Sequence, residues 1–299
     1  MILIIDSGST KMGWILLDGQ EVKAHFVTKG FNPNYSDIQT LESLVETQLT
    51  TLNTSYFIAS PNNDCLVSRC DKSASLQAIH YYGTGCGNIQ NCQMIKEVFQ
   101  NRFPDAEIHV THDLMAACHA LLGHEKGIAC ILGTGSNACV YDGENIVERA
   151  VSLGYLVGDE GSGMHVGKEV VLAYFYGFMP GELRQKFEAE YHLELKDFVQ
   201  WLYHDDQPSR YLASFAKFAG ENQHHPFVRD LVKGCFEAFL KAFVFRFDDC
   251  KTMKIGFVGS VAFHFKDILQ ECLTDHGLTM GEVMASPADG LVRYFSNCR

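Results

Sequence analysis

The sequence predicts an α/β protein made of two similar lobes that face each other across a cleft. A strand, a turn of small polar residues and a β-hairpin occur together twice, over residues 1–28 and again over residues 127–149. Elsewhere strands and helices alternate, which is typical of a parallel sheet covered by helices. Because a repeated supersecondary unit indicates a duplicated architecture, each copy predicts one lobe.

The second copy contains the clearest buried strand in the chain. Its apolar run, residues 128–132, suits a central strand covered on both faces. A turn of small residues follows it: Gly133, Thr134, Gly135, Ser136 and Asn137. Backbone N–H groups and short hydroxyls in such a turn can surround a phosphate. A hairpin with its turn at Asp142-Gly143 comes next, which excludes a dinucleotide-binding loop, because the glycines of that loop must open a helix.

The first copy begins the chain. Residues 1–5 form an apolar strand, a small-residue turn follows at residues 6–10, and a hairpin turn lies at Asp18-Gly19. When the two copies are laid on each other, residues 7–10 fall on residues 134–137 and the two Asp-Gly turns nearly coincide. Two phosphate turns in matching positions predict a phosphate ligand held by both lobes.

Asp113 and Asn34 each have two interpretations. Asp113 lies between a predicted strand, residues 106–111, and a predicted helix, residues 114–122. Its carboxylate therefore either serves a ligand at the end of the strand or caps the helix. Asn34, like Asn32, lies in a loop before a helix whose capping box starts at Ser36. These two amides either satisfy the geometry of the turn or bind a polar ligand.

A glycine-rich acidic turn, residues 158–163, precedes another predicted helix. The carboxylates of Asp159 and Glu160 are electrostatically favourable at the start of a helix whether or not a ligand is present. The three surrounding glycines exceed what a helix cap needs and favour close approach of a ligand to the backbone. Farther along, the strand Lys254–Val258 runs through Gly259-Ser260 into a helix, and a nucleotide can lie there as well.

Composition limits the choice of partner. The chain has 299 residues, 46% of them hydrophobic, and a formal net charge of -12, which argues against a nucleic-acid or anionic-membrane surface. Its apolar start is too short for a signal sequence, and no apolar run approaches the roughly 20 residues of a membrane span. We therefore expect a cytoplasmic protein whose partner is a small molecule.

The 11 cysteines are expected to be reduced and mostly buried. They include the pairs Cys65/Cys70 and Cys86/Cys92 but no Cys-x-x-Cys sequence. Because this spacing does not support a zinc or iron–sulfur site, we expect no metal cluster.

Together these segments resemble the sugar kinase, actin and heat-shock ATPase superfamily, and most closely its N-acetylglucosamine kinase and BadF/BadG/BcrA/BcrD-type ATPase family. The resemblance spans nearly the whole chain and rests on five motifs in order, at residues 6–10, 111–113, 133–137, 158–162 and 258–261. It implies a ribonuclease H-like, duplicated actin/hexokinase-type fold with two lobes around a nucleotide cleft. The duplication then assigns residues 1–114 to the first lobe, with the helix 286–299 packing back on it, and residues 115–285 to the second.

The resemblance also implies ATP and magnesium (Mg2+) in the site. The phosphates would be held by Ser7, Gly8, Ser9, Thr10, Thr134, Gly135 and Ser136. Asp6 would lie near the metal, Gly259 and Ser260 under the adenosine, and Ala213 would be a further nucleotide contact. The sugar side would be formed by Asn34, Asn137, Gly154 and Asp159, and Asp113 would be the base that takes the proton of the sugar hydroxyl.

The sequence departs from the family at positions that are expected to contact the sugar. Eukaryotic members carry His-Trp after the sugar-binding Asn, where this chain has Tyr35-Ser36, and a Trp between glycines, where it has Ser152-Leu153-Gly154. These differences leave recognition of an acetamido group open.

Three functions follow from the resemblance. The first is an enzyme that phosphorylates an amino sugar or a related hexose. The second is a nucleotide-switch ATPase that acts on a partner protein, and the third is a sugar sensor without turnover. Asp113 together with the Asn34 loop favours the first, since a switch needs no carboxylate to orient a hydroxyl. The expected partner is a sugar, with a homodimer as a further option.

Overall fold

The structure, a computed structural model, describes residues 1–53, 76–204 and 207–297. The pair Cys65/Cys70 lies outside these residues. The chain divides into two compact units, Met1–Ala116 with Ala288–Arg299, and Ala117–Pro287. Each unit contains one five-stranded mixed sheet, and the predicted α/β class with a duplicated fold is confirmed.

The sheet of the first unit has the order β3-β2-β1-β4-β5. Its strands are β1 (Ile2–Ser7), β2 (Lys11–Asp18), β3 (Glu21–Lys29), β4 (Ala78–Gly83) and β5 (Glu107–His112). The first three strands are antiparallel, and β4 and β5 continue parallel to β1. Their register aligns Ser7, Gly83 and His112 in one row, so the segments that leave β1, β4 and β5 start at the same edge of the sheet.

The helices of this unit are α1 (Ile38–Asn53), α2 (Ile89–Arg102), the start of α3 (Asp113–Leu122), and α12 (Ala288–Asn297) at the end of the chain. A core of fully buried side chains lies around the sheet, with Trp14 and Phe99 among the largest. The capping box predicted at Ser36 is wrong. Asp37 caps α1 instead, because its Oδ1 accepts hydrogen bonds from the N–H and hydroxyl of Thr40, at 2.9 and 2.6 Å.

The sheet of the second unit has the order β10-β9-β6-β7-β8. Its strands are β6 (Gly127–Leu132), β7 (Ser136–Tyr141), β8 (Ile146–Arg149), β9 (Lys254–Val258) and β10 (Thr279–Met284). Position by position this sheet repeats the first, with β6 in the place of β1. The duplication therefore covers five strands, whereas the sequence indicated it for three. β10 was missed because Gly281 and Glu282 interrupt its apolar pattern at an irregularity of the pairing with β9.

Helices of the second unit pack around an aromatic core. They are α4 (Gly163–Phe175), α5 (Gly181–Tyr191), α6 (Leu195–His204), α7 (Pro208–Ser214), α8 (Ala216–Glu221), α9 (Pro226–Phe239), α10 (Ser260–His264) and α11 (Lys266–Asp275). A π-helical turn, Leu240–Val244, extends α9. On α9 and this turn, Phe236, Phe239 and Phe243 are at most 2% exposed. Within the described ranges no helix is both long and apolar enough to span a bilayer.

Candidate functional site

The first predicted phosphate turn lies between β1 and β2. Ser7 is fully buried, and its hydroxyl donates a hydrogen bond to the carbonyl of Phe31 at 2.9 Å while the N–H of Phe31 points back to it at 3.3 Å. The N–H of Gly8 donates to the carbonyl of Lys11 at 2.9 Å and closes the turn. The Ser7 hydroxyl therefore fixes the turn to the loop after β3, and the more exposed Ser9 and Thr10 form its outer part.

Gly30 supports this turn and was not recognised from the sequence. Its N–H donates to the carbonyl of Thr10 at 3.1 Å. A Cβ at position 30 would lie 2.1 Å from the carbonyl oxygen of Gly8 and 2.7 Å from the N of Lys11, so only glycine fits. The sequence signal was the Gly-containing loop itself, which can be read as an ordinary turn.

Two carboxylates of the first unit interact at this edge of the sheet. Asp6 is the next-to-last residue of β1, and Asp113 is the first residue of α3, directly after β5. Burial and the negative charge of Asp113 raise the pKa of Asp6 to about 7. Asp6 and Asp113 are thus close enough for the charge of Asp113 to affect the proton affinity of Asp6.

The Asp113 carboxylate does not have the geometry of an N-cap. Its Oδ1 accepts a hydrogen bond from the N–H of Leu114, the very next residue, at 2.9 Å. An N-cap at position 113 would accept from the N–H of Met115 or Ala116 instead. Its Oδ2 accepts a hydrogen bond at 2.8 Å from the hydroxyl of Thr84, which lies in the turn after β4.

The loop that carries Asn34 is tied to the phosphate turn by Asn32. The Asn32 amide donates to the Ser9 hydroxyl at 2.9 Å, and its oxygen accepts the N–H of Asn34 at 3.0 Å. Asn32, at 5% exposure, therefore serves turn geometry. The exposed Asn34 accepts a hydrogen bond from the amide of Asn91 at 3.1 Å, which orients its side chain.

The second phosphate turn, between β6 and β7, is bound to the start of α4. The N–H groups of Gly163 and Met164 donate to the carbonyls of Gly133 and Thr134, at 2.8 and 3.2 Å. Two of the free N–H groups at this helix end are therefore used to hold the turn. The Ser136 hydroxyl is buried, and among the described residues it has no hydrogen-bond partner. A buried hydroxyl without a partner is costly, so it is a place for a ligand oxygen.

Asp159 lies against the same turn. Its Oδ1 accepts the N–H of Ser136 at 3.3 Å, and a Cβ at Gly135 would lie 3.0 Å from its Oδ2. Burial raises the pKa of Asp159, the Ser136 hydrogen bond opposes this shift, and the charge of Glu160 adds to it. Its backbone is left-handed, with φ of 60°, a conformation that an aspartate rarely adopts and that often marks functional sites.

Neighbouring groups fix the acidic turn around Asp159. His165 accepts the N–H of Gly161 on Nδ1 at 3.0 Å, and Ser162 caps α4 by accepting the N–H of His165 at 3.2 Å. Desolvation is the main cause that lowers the pKa of His165, which favours the neutral ring that this bond needs. Gly154, with φ of 72°, lies earlier in the same loop, where its carbonyl accepts the N–H of Gly158 at 2.9 Å. Asn137 lies on β7, and its side-chain oxygen accepts the N–H of Ala138 at 3.0 Å.

The residues expected to contact the adenosine lie near Gly163 and Gly133. A Cβ at Gly163 would lie 3.3 Å from the Gly133 carbonyl oxygen and 3.5 Å from the Cβ of Ala213. A Cβ at Gly259, whose φ is 130°, would lie only 2.2 Å from the Leu132 carbonyl oxygen. Ala213 and Gly259 therefore lie beside the second phosphate turn, and Ser260 follows as the first, exposed residue of α10.

The available carboxylates fit a magnesium ion that is bound together with a nucleotide. Within the described residues, no group of three or more His, Cys, Asp or Glu side chains could hold a metal ion. Magnesium commonly takes one or two carboxylates and completes its shell with phosphate oxygens and water. Asp6 and Asp113 are hard oxygen donors of this kind. The described cysteines are free thiols, and all but Cys92 are buried.

We expect Gly30→Ala to destabilise the protein, because the new methyl group would overlap the backbone of the first phosphate turn. The free energy of unfolding should fall by about 1–3 kcal/mol, the usual cost of overpacking, and Tm should drop accordingly. Thermal unfolding followed by circular dichroism measures the change. Gly87→Ala is the matched control, since a Cβ there meets nothing within 4 Å. Equal Tm values for the two variants would contradict the steric role of Gly30.

We expect Asp6→Asn to stabilise the metal-free protein at neutral and higher pH. Because the folded protein raises the pKa of Asp6 from 3.8 to about 7, folding favours the protonated carboxyl, and the wild type loses stability as pH rises from about 4 to 7. The neutral amide avoids this loss. The variant should gain up to about 4 kcal/mol at pH 8, from about 1.36 kcal/mol per pKa unit, and almost nothing at pH 4. Urea unfolding with EDTA at both pH values measures the gain.

The exposed Asp18, in the same hairpin, supplies the control substitution Asp18→Asn. A stability difference between Asp6→Asn and the wild type that stays constant between pH 4 and pH 8 would contradict the raised pKa of Asp6.

Comparison with known proteins adds to this geometry. No family model matches the chain, and no curated protein matches it significantly. Its structure is similar to that of a “putative N-acetylglucosamine kinase” from Porphyromonas gingivalis, with a TM-score of 0.89 and 34% identity over 100% of this chain and 99% of that one.

Two more distant structures share the fold alone. One is a “putative N-acetylglucosamine kinase” from Chromobacterium violaceum, with a TM-score of 0.71 and 17% identity over 98% of each chain. The other is a ROK family glucokinase from Streptomyces griseus in complex with glucose and AMPPNP, with a TM-score of 0.58 and 13% identity over 98% of this chain and 97% of that one.

The likeness to the Porphyromonas gingivalis protein extends over both chains and includes sequence as well as fold. The chain thus belongs to the N-acetylglucosamine kinase family of the sugar kinase, actin and heat-shock ATPase superfamily.

Proposed function

We propose that this protein transfers the γ-phosphoryl group of ATP to a hydroxyl of an amino sugar or a related hexose. One observation carries the proposal: the carboxylate of Asp113 is held by Thr84 and Leu114 without capping α3, at the edge of the sheet where the first phosphate turn begins. Membership of the N-acetylglucosamine kinase family supports the same reaction class.

Asp113 is the proposed general base. Each of its two oxygens accepts one hydrogen bond, and a carboxylate has about four lone-pair sites, so sites remain for a sugar hydroxyl. In that position Asp113 orients the attacking hydroxyl and takes its proton as the bond to phosphorus forms. Phosphoryl transfer needs mainly such positioning and neutralisation of charge.

The phosphate groups of ATP are assigned to the two turns. In the first, the exposed Ser9 and the half-buried Thr10 would supply their hydroxyls. In the second, the partnerless hydroxyl of Ser136 supplies a further donor. Magnesium held by Asp6 would neutralise phosphate charge. The family resemblance assigns the adenosine to Ala213, Gly259 and Ser260, which lie beside the second turn.

The sugar is assigned to Asn34, Asn137, Gly154 and Asp159 together with Asp113. Asn34 has a polar neighbour, Asn91, that orients its amide. Asp159 has a left-handed backbone and a raised pKa, both of which are common at ligand sites. In the loop that carries Gly154, the side chains of Leu153, Leu156 and Val157 are 64–79% exposed.

Sugar-dependent ATP turnover tests the proposal directly. We expect ADP release to rise at least tenfold when the best acceptor from a panel of hexoses and amino sugars is added, because closure over both substrates completes such sites. A coupled assay of ADP release measures this. The same rate with and without every sugar would favour the nucleotide-switch ATPase, and sugar binding without any ADP release would favour the sensor.

Asp113→Asn tests the base. The amide is nearly isosteric and can still accept from Leu114, so Tm should change little, while kcat should fall about 10²–10⁴-fold, the usual contribution of a general base. A steady-state kinase assay and thermal unfolding give the two values. Asp289→Asn, which also removes a carboxylate from the first turn of a helix of this unit, is the matched control and should keep full activity. Activity of Asp113→Asn within threefold of the wild type would withdraw the assignment.

A further inference from the structure

The turn after β4 contains Thr84, one of the two residues that donate a hydrogen bond to the Asp113 carboxylate. Thr84 is half-buried and has two hydrogen bonds that lead in different directions. Its backbone N–H donates to the carbonyl of Ser7 at 2.9 Å, and its hydroxyl donates to Oδ2 of Asp113 at 2.8 Å. Thr84 therefore joins the end of β1, where the first phosphate turn starts, to the carboxylate that follows β5.

The backbone around Thr84 is strongly constrained. A Cβ at Gly83 would lie 2.5 Å from the ring of Tyr81, and a Cβ at Gly85, whose φ is 84°, would lie 2.8 Å from the side-chain oxygen of Asn32. Both neighbours of Thr84 must therefore be glycine, and Gly83 is also paired in register with Ser7. The hydroxyl of Thr84 is thus presented from a turn with little freedom to move.

We infer that Thr84 is a positioning residue that orients the Asp113 carboxylate relative to the first phosphate turn. Its charge-assisted hydrogen bond occupies one lone pair of Oδ2, and the N–H of Leu114 occupies one of Oδ1. The carboxylate plane is then set by two donors from different elements, and a lone pair remains on each oxygen. Catalysis that depends on positioning is sensitive to shifts of about 1 Å in such a group.

This inference rests on the proposed function, because Thr84 acts only through Asp113. The inference predicts that Thr84 matters for turnover but not for the binding of ATP or sugar. Removing the hydroxyl leaves both phosphate turns and the Asn34 loop in place, so the KM values for ATP and sugar should hold, whereas a carboxylate free to rotate should lower kcat.

A set of substitutions tests the role of Thr84. Thr84→Val keeps the shape of the side chain and removes the donor, and we expect it to lower kcat about tenfold while both KM values stay within threefold. Thr84→Ser keeps the hydroxyl and should retain at least a third of wild-type kcat. Thr252→Val is the control, since it removes a comparable hydroxyl bond to a backbone carbonyl on the surface of the second unit. Steady-state kinetics with the best sugar acceptor gives all three results.

A double-mutant cycle separates positioning from a merely structural role. If Thr84 acts through Asp113, then Thr84→Val should cause less than a twofold further loss of kcat when Asp113 is already Asn. A full tenfold loss in that background, a loss that Thr84→Ser fails to restore, or a Thr84→Val enzyme within twofold of the wild type would each overturn the inference. If the wild type shows no sugar-dependent turnover, the proposed function fails instead, and the two failures are thereby distinguished.

Discussion

Parallel pairing of β1 with β4 and β5 is the constraint on which the first unit depends. Because Ser7, Gly83 and His112 share one row of the sheet, three segments far apart in the chain leave it side by side. The first phosphate turn, the glycine-flanked Thr84 turn and Asp113 follow these three residues directly. A one-residue slip between β4 and β5 would separate the Thr84 hydroxyl from the Asp113 carboxylate, since successive side chains point to opposite faces of a sheet.

The second unit repeats this arrangement with a different support. Its sheet has the same order and directions, yet its phosphate turn is held by the first N–H groups of α4. In the first unit the corresponding support comes from Gly30 and the Ser7 hydroxyl. Both turns demand close backbone approach, at Gly30 in one unit and at Gly259 in the other. Duplication has thus preserved the strand layout while each copy stabilises its turn in its own way.

Several of these features reduce stability at the proposed site. Asp6 and Asp113 repel each other, Asp159 has a left-handed backbone, and the Ser136 hydroxyl is buried without a partner among the described residues. Such costs persist in folded proteins when the surrounding structure over-determines them. Here large cores, with Trp14 in one unit and Phe236 and Phe239 in the other, supply the burial that offsets them.

Local sequence determined much of this protein. Apolar runs, small-residue turns and Asp-Gly hairpins are short-range signals, so they predicted the α/β class, the paired strand-and-turn units and the residues on which a site is proposed. The sequence left undecided whether Asp113 caps α3, because an N-cap and a strand-end carboxylate occupy the same place along a chain. Only the tertiary structure shows what holds the Asp113 carboxylate, namely the N–H of Leu114 and the hydroxyl of Thr84, 29 residues away. The tertiary structure likewise revealed how Gly30 and Asn32 support the first phosphate turn, and it revealed strand β10. Each of these features depends on contacts between segments distant in sequence, which residue spacing alone does not show.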